Sequence, residues 1–327
     1  MAYSPGDVRL NGSHPIKIHY HFFNHALFRN KRLEITHFNT LERINVPRLE
    51  EEHDVLLLPR IDEAACLALR DIKDAGIPVI AYPYDPHRVL RQDMVGMADR
   101  LKVDWLFNFQ SPASFYEYWP RRFRYETVHI GLEPSLYKED IPWGARTPDR
   151  IALSGALGRT GLARMLYQRV YLRRPPPLTT DYHYKLRTRC NKLPYVVHTR
   201  DIYPDQSSNE LNSVLSRFRA AIAAMTTSVV VKYKETPAAG CLTFMEVTEK
   251  NHGVSHLGYE DGKNAVFIDE SNYLKKFREY LDSPDDGRWR KIAREGRRHA
   301  LENLSNDRGV EMLVDIMYKA LGEKNAD

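Results

Sequence analysis

Cysteine is scarce in this chain, with 3 among 327 residues. Cys66, Cys190 and Cys241 are scattered, without Cys-x-x-Cys spacing or histidine neighbours at ligand distance. That excludes a disulfide framework and a cysteine-based zinc site, and it reads as buried thiols in a reducing compartment. Long apolar runs are missing too, so no segment qualifies as a membrane-spanning helix. Residues 1–12 lack the apolar stretch of a secretory leader, so the expected location is the cytoplasm, at most peripheral to the cytoplasmic face of a membrane. Familiar catalytic signatures are absent as well. Without Gly-x-Gly-x-x-Gly a dinucleotide-dependent dehydrogenase is disfavoured, and without Gly-x-x-x-x-Gly-Lys-Ser/Thr so is a P-loop enzyme. Neither Gly-x-Ser-x-Gly nor His-Glu-x-x-His occurs, which removes the serine-hydrolase elbow and the helical zinc-protease motif.

What is present is a chain long enough for two domains or one large barrel. Its net charge is +5. The distribution of that charge says more than its size. Arg164, Arg169, Arg173, Arg174, Lys185, Arg187, Arg189 and Lys192 face a single acid, Asp181, in the same stretch. With Tyr167, Tyr171, Tyr182 and Tyr184 interleaved, residues 164–192 have the ingredients of a polyanion or membrane-surface contact, or of a solvated loop.

Strand-length apolar runs alternate with amphipathic segments in the first half. Ile16–Tyr20, Asp54–Leu58, Pro78–Ala81, Trp105–Phe107 and Thr127–Ile130 read as strands; Asp62–Asp74, His87–Leu101 and Ser111–Trp119 read as helices. Nearly continuous apolar strands between helices imply a parallel sheet covered on both faces. The aromatic cluster Phe107, Phe109, Phe115, Tyr116, Tyr118 and Trp119 reads as core packing. Periodicity breaks at Ile141–Arg150 and then restarts. Strands are expected at Arg150–Leu153, Tyr195–His198, Ser228–Val231, Cys241–Met245 and Ala265–Ile268. Helices are expected at Leu157–Leu172, Asn209–Ala224 and Lys234–Ala239, and then in three segments, Ser271–Leu281, Arg288–Leu304 and Asp307–Leu321, that make a helical C-terminus. The fold class is α/β: two Rossmann-like, doubly wound parallel sheets with a ligand cleft expected between them.

The most informative segment is Val229–Leu242, VVVKYKETPAAGCL. A buried run leads to Lys232 and Lys234, then to Glu235 at the start of a short helix, then to small residues and Gly240. A helix start holds phosphate through its backbone N–H groups, and the lysines add countercharge. Glu235 can accept hydrogen bonds from two ribose hydroxyls, or it can simply complement the helix dipole.

KYKETPAAG, followed by LGYEDGKNAVFI, resembles the C-terminal domain of retaining GT-B glycosyltransferases of the family-four type and its spore-maturation-like branch. There a Glu five residues before a glycine binds the donor ribose; Glu235 and Gly240 have that offset. His129-Ile130-Gly131-Leu132-Glu133-Pro134 with Tyr137 is similar to the segment that closes the family's first domain, and Gly76–Ile80 followed by Tyr84-Asp85 to its Gly-Ile-Pro-Val-Val … His-Asp segment. Three features depart from the pattern. Thr227 stands where a second Glu is common, Tyr84 stands at the sugar-proximal His, and the loop Ser154–Arg159 lacks the Lys-Gly that usually follows.

The resemblance implies an acceptor domain at residues 1–143, a nucleotide-sugar donor domain at 144–306, and a C-terminal helix at 307–327 crossing back to the first domain. It implies transfer of a sugar from a UDP- or GDP-sugar to a glycan, lipid-linked or other hydroxyl acceptor, with retention, without a metal and without a tightly bound cofactor. The expected donor-binding residues are Gly155, Gly158, Arg159, His198, Lys232, Tyr233, Glu235 and Gly240. The expected catalytic ones are Asp85 toward the acceptor and Arg159 and Lys232 on the leaving diphosphate. The alternative is a non-catalytic two-lobed protein that binds nucleotide or polyanion through a degenerate site.

Overall fold

The computed structural model of the chain describes residues 2–3, 23–38, 42–85, 89, 92–137, 141–157, 166–171, 184–202, 211–226, 228–249 and 252–324. The expected strand Ile16–Tyr20 lies outside these residues, as does most of the expected helix Leu157–Leu172. Two compact units are formed, one from Met1–Gly131 with Ser305–Asp327 and one from Leu132–Leu304.

Six parallel strands make the sheet of the first unit: β1 (Ala2–Tyr3), β2 (Thr36–His37), β3 (Leu56–Leu58), β4 (Val79–Ala81), β5 (Trp105–Asn108) and β6 (Arg124–Thr127), in the order β2-β1-β3-β4-β5-β6. β3, β4 and β5 are buried at every position, so both faces are covered and their sequences run apolar without alternation. Short helices start where the sequence supplies caps. The Asp62 carboxylate accepts from Ala65 N at 2.9 Å to open Glu63–Ala68, and Ser111 Oγ accepts from Ser114 N at 3.2 Å to open Pro112–Tyr116. Phe115 of the last helix stacks on Tyr125 with ring centroids 3.9 Å apart. That contact explains why β6 begins three residues earlier than the apolar run Thr127–Ile130 suggests: Tyr125 turns inward on an edge strand that is otherwise polar.

The C-terminal helix Asn306–Lys324 closes the same unit. Gly131 N donates to Asn306 Oδ1 at 2.7 Å. A Cβ on Gly309 would lie 1.7 Å from the His129 carbonyl oxygen, so only glycine permits that approach.

In the second unit, β7 (Thr147–Leu153), β8 (Val196–His198), β9 (Phe218–Ala223), β10 (Leu242–Glu246) and β11 (Val266–Ile268) pair in parallel in the order β11-β10-β9-β7-β8. This is a doubly wound order whose direction reverses between β7 and β9. β9 corrects the expected helix Asn209–Ala224. Only Leu211–Leu215 is helical, and Phe218–Ala223 is a central strand buried at all six positions. A fully buried strand carries no periodicity to distinguish it from a helix, and alanine biases the reading toward helix. The expected strand Ser228–Val231 is displaced as a result; that stretch leads into the helix Lys232–Ala238. Phe277 and Tyr280 of the helix Tyr273–Leu281 pack edge-on against Phe244 of β10, and Gly287–Asn303 packs beside them through Trp289 and Ile292.

Candidate functional site

In an open parallel sheet the carboxyl ends of the strands face ligand, and the reversal between β7 and β9 opens a crevice there. The residues that converge on this point are Ser154 and Gly155 after β7, Ala224 and Met225 after β9, Lys232 at the start of its helix, and Arg187 from the helix Lys185–Cys190. Gly155 has φ +96, a conformation that favours glycine; a Cβ there would lie 2.9 Å from Lys232 Cε and 3.0 Å from Arg187 Nη1. The glycine is therefore what lets both cations come up against the backbone.

Arg187 is 2% exposed. Its Nη1 donates to the Ala156 carbonyl at 3.1 Å and its Nη2 to the Ala224 carbonyl, so the guanidinium ties together the two strand ends that flank the crevice. Its Nε–H has no hydrogen-bond partner among the described residues, and neither has the buried Oγ of Ser154 after β7. Burial lowers the Arg187 pKa, opposed by Tyr184, Tyr233 and Glu246. Lys232 is nearly buried, and its Nζ lies 3.7 Å from Glu235 Oε2. Desolvation holds its ammonium below the ordinary range; Glu235 opposes that shift and Arg187 adds to it. Two buried cations and two unsatisfied donors at a sheet switch point are arranged to receive an anion.

The remaining expected donor residues that are described divide into three groups. Glu235 is buried beside Lys232, within the cluster. His198 and Tyr233 support it from behind. His198 Nδ1 accepts from Arg200 N at 3.2 Å, which leaves the proton on Nε2 to meet the Gly155 carbonyl at 2.8 Å and pin the glycine loop. Tyr233 is fully buried and donates to the Glu246 carbonyl at 2.7 Å, while Glu246 accepts from Met225 N at 2.9 Å. Gly240 is placed elsewhere. It lies beyond the far end of the Lys232–Ala238 helix with φ +79, where a Cβ would meet Arg146 Nη2 at 2.6 Å. The buried Arg146 also takes the Ala239 carbonyl at 3.0 Å, so Gly240 serves packing and chain reversal and does not face the crevice. Gly158 and Arg159 lie outside the described residues, and so does Thr227.

Arg187 was hidden in the basic segment, where nothing in the sequence separates it from its neighbours. The described residues of the segment do not form one uniform basic face. Arg187 is interior, while Lys185 pairs with Glu270 and Arg189 reaches the same carboxylate at 3.4 Å. Leu166, Tyr167, Val170 and Tyr171 are exposed, and Tyr167 stacks on Tyr171 at 5.0 Å.

At the carboxyl ends of the first unit's sheet stand Arg60 after β3, Tyr82, Tyr84 and Asp85 after β4, and Asn108 at the end of β5. Asp85 is half-buried beside Tyr84. Arg60 Nε pairs with Asp62 Oδ2 at 2.7 Å, and its guanidinium carbon lies 5.9 Å from the Tyr84 ring centroid.

No family model matches this chain, and no curated protein matches it in sequence. Solved structures do match in fold. Anabaena HepE in complex with UDP is similar over 97% of this chain and 99% of that one, with a TM-score of 0.58 at 12% identity. An alpha-glucosyltransferase in complex with UDP-glucose and DNA containing an abasic site is similar over 97% and 98%, with a TM-score of 0.54 at 11% identity. The fold class is thus the α/β, two-sheet GT-B class with a helical C-terminus, shared with glycosyltransferases solved with UDP or UDP-glucose.

Proposed function

We propose that this chain is a glycosyltransferase that moves a sugar from a nucleoside-diphosphate donor, in the first instance a UDP-sugar, to an acceptor hydroxyl. The observation that carries this reading is the buried Arg187 beside Lys232 and Gly155 at the switch point of a sheet whose fold is shared with UDP-bound structures. The diphosphate would take the Arg187 Nε–H, the Lys232 ammonium and the Ser154 hydroxyl. Glu235 would accept from the ribose hydroxyls.

The chemistry follows from that placement. The bond from the sugar's anomeric carbon to the phosphate oxygen breaks, a bond to the acceptor oxygen forms, and the acceptor's proton leaves with the phosphate or with a carboxylate. Negative charge grows on the departing diphosphate, and Arg187, already fixed by two backbone carbonyls, would stabilise it without reorganising, with the Lys232 ammonium beside it. Arg159 would add to this stabilisation. Asp85 is the carboxylate we assign to the acceptor side. With the leaving phosphate itself taking the proton, the new bond forms on the face the donor vacates, which gives retention. Such a donor is a cytoplasmic metabolite, and no helix among the described residues is long and apolar enough to cross a membrane.

Calorimetry with UDP, GDP, ADP and CMP, followed by hydrolysis of the matching nucleotide sugars, tests the reading. The expected result is preferential UDP binding, sharply weakened in Glu235→Ala, with turnover of at least one UDP-sugar. Binding without turnover of any donor identifies a non-catalytic nucleotide-binding protein, and absence of nucleotide binding contradicts the donor site.

A further inference from the structure

Among the described residues, three non-glycine residues have positive φ: Tyr84 at 58°, Lys102 at 52° and His252 at 53°. Lys102 and His252 have exposed side chains in turns. Tyr84 differs. It is a half-buried aromatic immediately beyond β4, in a conformation that costs a bulky side chain energy and persists only where its surroundings impose it. The surroundings can be named. Asn108 is 1% exposed; its side-chain amide donates to the Tyr84 carbonyl, and its Oδ1 accepts from Phe109 N at 2.6 Å. The Asn108 side chain therefore spans from β5 to the strained turn and clamps it.

The clamp fixes the end of an aromatic ladder. Phe23 lies 6.5 Å from Phe107, Phe107 5.6 Å from Tyr82, and Tyr82 5.5 Å from Tyr84, measured between centroids. The first three rings are buried and the fourth emerges at the carboxyl edge of the sheet, with the Arg60 guanidinium, itself paired to Asp62, 5.9 Å from its centroid and Asp85 next in the chain. A ring face offers dispersion and C–H contact to the flat, weakly polar face of a pyranose. The Arg60–Asp62 pair beside it and Asp85 after it can donate to and accept from hydroxyls. An ion pair that is already neutralised leaves no net positive charge beside the ring to hold the phosphates of a polynucleotide, which favours an uncharged hydroxylated ring.

We infer that Tyr84 is the stacking platform of an acceptor subsite for a saccharide ring, with Asn108 as the positioning residue that holds it in the left-handed conformation. The inference rests on the glycosyltransferase reading for the word acceptor, but the saccharide contact can be tested without it.

The test is saturation-transfer NMR of the full chain with glucose, galactose, mannose and N-acetylglucosamine and their methyl glycosides, run alongside UDP calorimetry on each sample. The wild type should show saturation of at least one saccharide. Tyr84→Ala should reduce its affinity about tenfold, Tyr84→Phe should keep it within about threefold, and Asn108→Ala should behave like Tyr84→Ala. UDP affinity should stay within about twofold in all three, which shows that the variants are folded. A protein that binds UDP but none of these saccharides overturns the inference. Saccharide affinity unchanged in Tyr84→Ala overturns it as well, and so does a Tyr84-dependent affinity for a single-stranded oligonucleotide in place of a sugar. Saccharide binding that depends on Tyr84 in a chain that fails to bind UDP supports the subsite and removes the donor reading.

Discussion

The two units build the same kind of sheet and finish it in opposite ways. At the carboxyl edge of β3, β4 and β5 the chain places an aromatic ring beside the Arg60–Asp62 ion pair. At the carboxyl edge of β7 and β9 it places a buried guanidinium, a nearly buried ammonium and a glycine with positive φ. Parallel pairing and covered faces explain why ligand groups collect at these edges, but not which ligand. The second edge is built for an anion because Arg187 spends two of its donor nitrogens on carbonyl oxygens and keeps Nε in reserve. The first is built for hydroxyls because its charges sit at the rim of a ring. Fold supplies position, and a few edge residues supply chemistry.

Breaking one unit at a time tests whether the edges are independent. Gly309→Ala should have the largest effect on stability. A methyl 1.7 Å from the His129 carbonyl cannot be accommodated without moving the C-terminal helix, so the first unit should lose about 3 kcal/mol or more in denaturant unfolding. UDP affinity of the remaining folded protein should change little. Gly155→Ala should do the reverse. Strain at φ +96 costs about 1–2 kcal/mol, and the new methyl pushes Lys232 and Arg187 apart, so UDP affinity measured by calorimetry should fall by about tenfold or more.

The smallest of the three effects concerns a lysine that neither edge uses. Lys234 is fully buried, and desolvation pushes its pKa down to about 7, opposed by Glu235. The unfolded chain would hold that proton up to about pH 10.4. Between these values the unfolded state binds more protons, so stability rises with pH across that window and the penalty is greatest below it. Lys234→Met should flatten the rise and stabilise the protein by about 1–2 kcal/mol at pH 7, compared by urea unfolding at pH 7 and pH 9.

How far the sequence discloses this arrangement varies from element to element. β3, β4, β5 and β10 are bounded runs of large apolar residues, and their strand character can be read directly. β9 cannot be read that way, because Phe218–Ala223 is half alanine, is buried on both faces and follows a short helix whose Leu211 and Leu215 continue a helical spacing into Phe218 and Ile222. The misplaced strand then shifts the expected start of the Lys232 helix. Lys232 and Glu235 are recognisable from their motif. Gly240 is recognisable too, but its requirement is conformational, set by Arg146. Arg187 is invisible, since burial is what distinguishes it from Lys185 or Arg189 and burial is decided by tertiary packing. Tyr84 stands out in the sequence only as a departure from a motif; its left-handed backbone and the Asn108 clamp are long-range facts.

The account turns on Arg187, and the most direct measurement is calorimetric titration of UDP into the wild type and Arg187→Met, with thermal melts of both. Methionine removes a charge that is costly to bury but leaves the Ala156 and Ala224 carbonyls without their donor, so the melt should fall by several degrees while the protein stays folded. UDP affinity should fall on the order of 10- to 100-fold, as expected for loss of a buried, charge-assisted phosphate contact. A folded Arg187→Met protein that binds UDP as tightly as the wild type would contradict the assignment of this edge as the donor site.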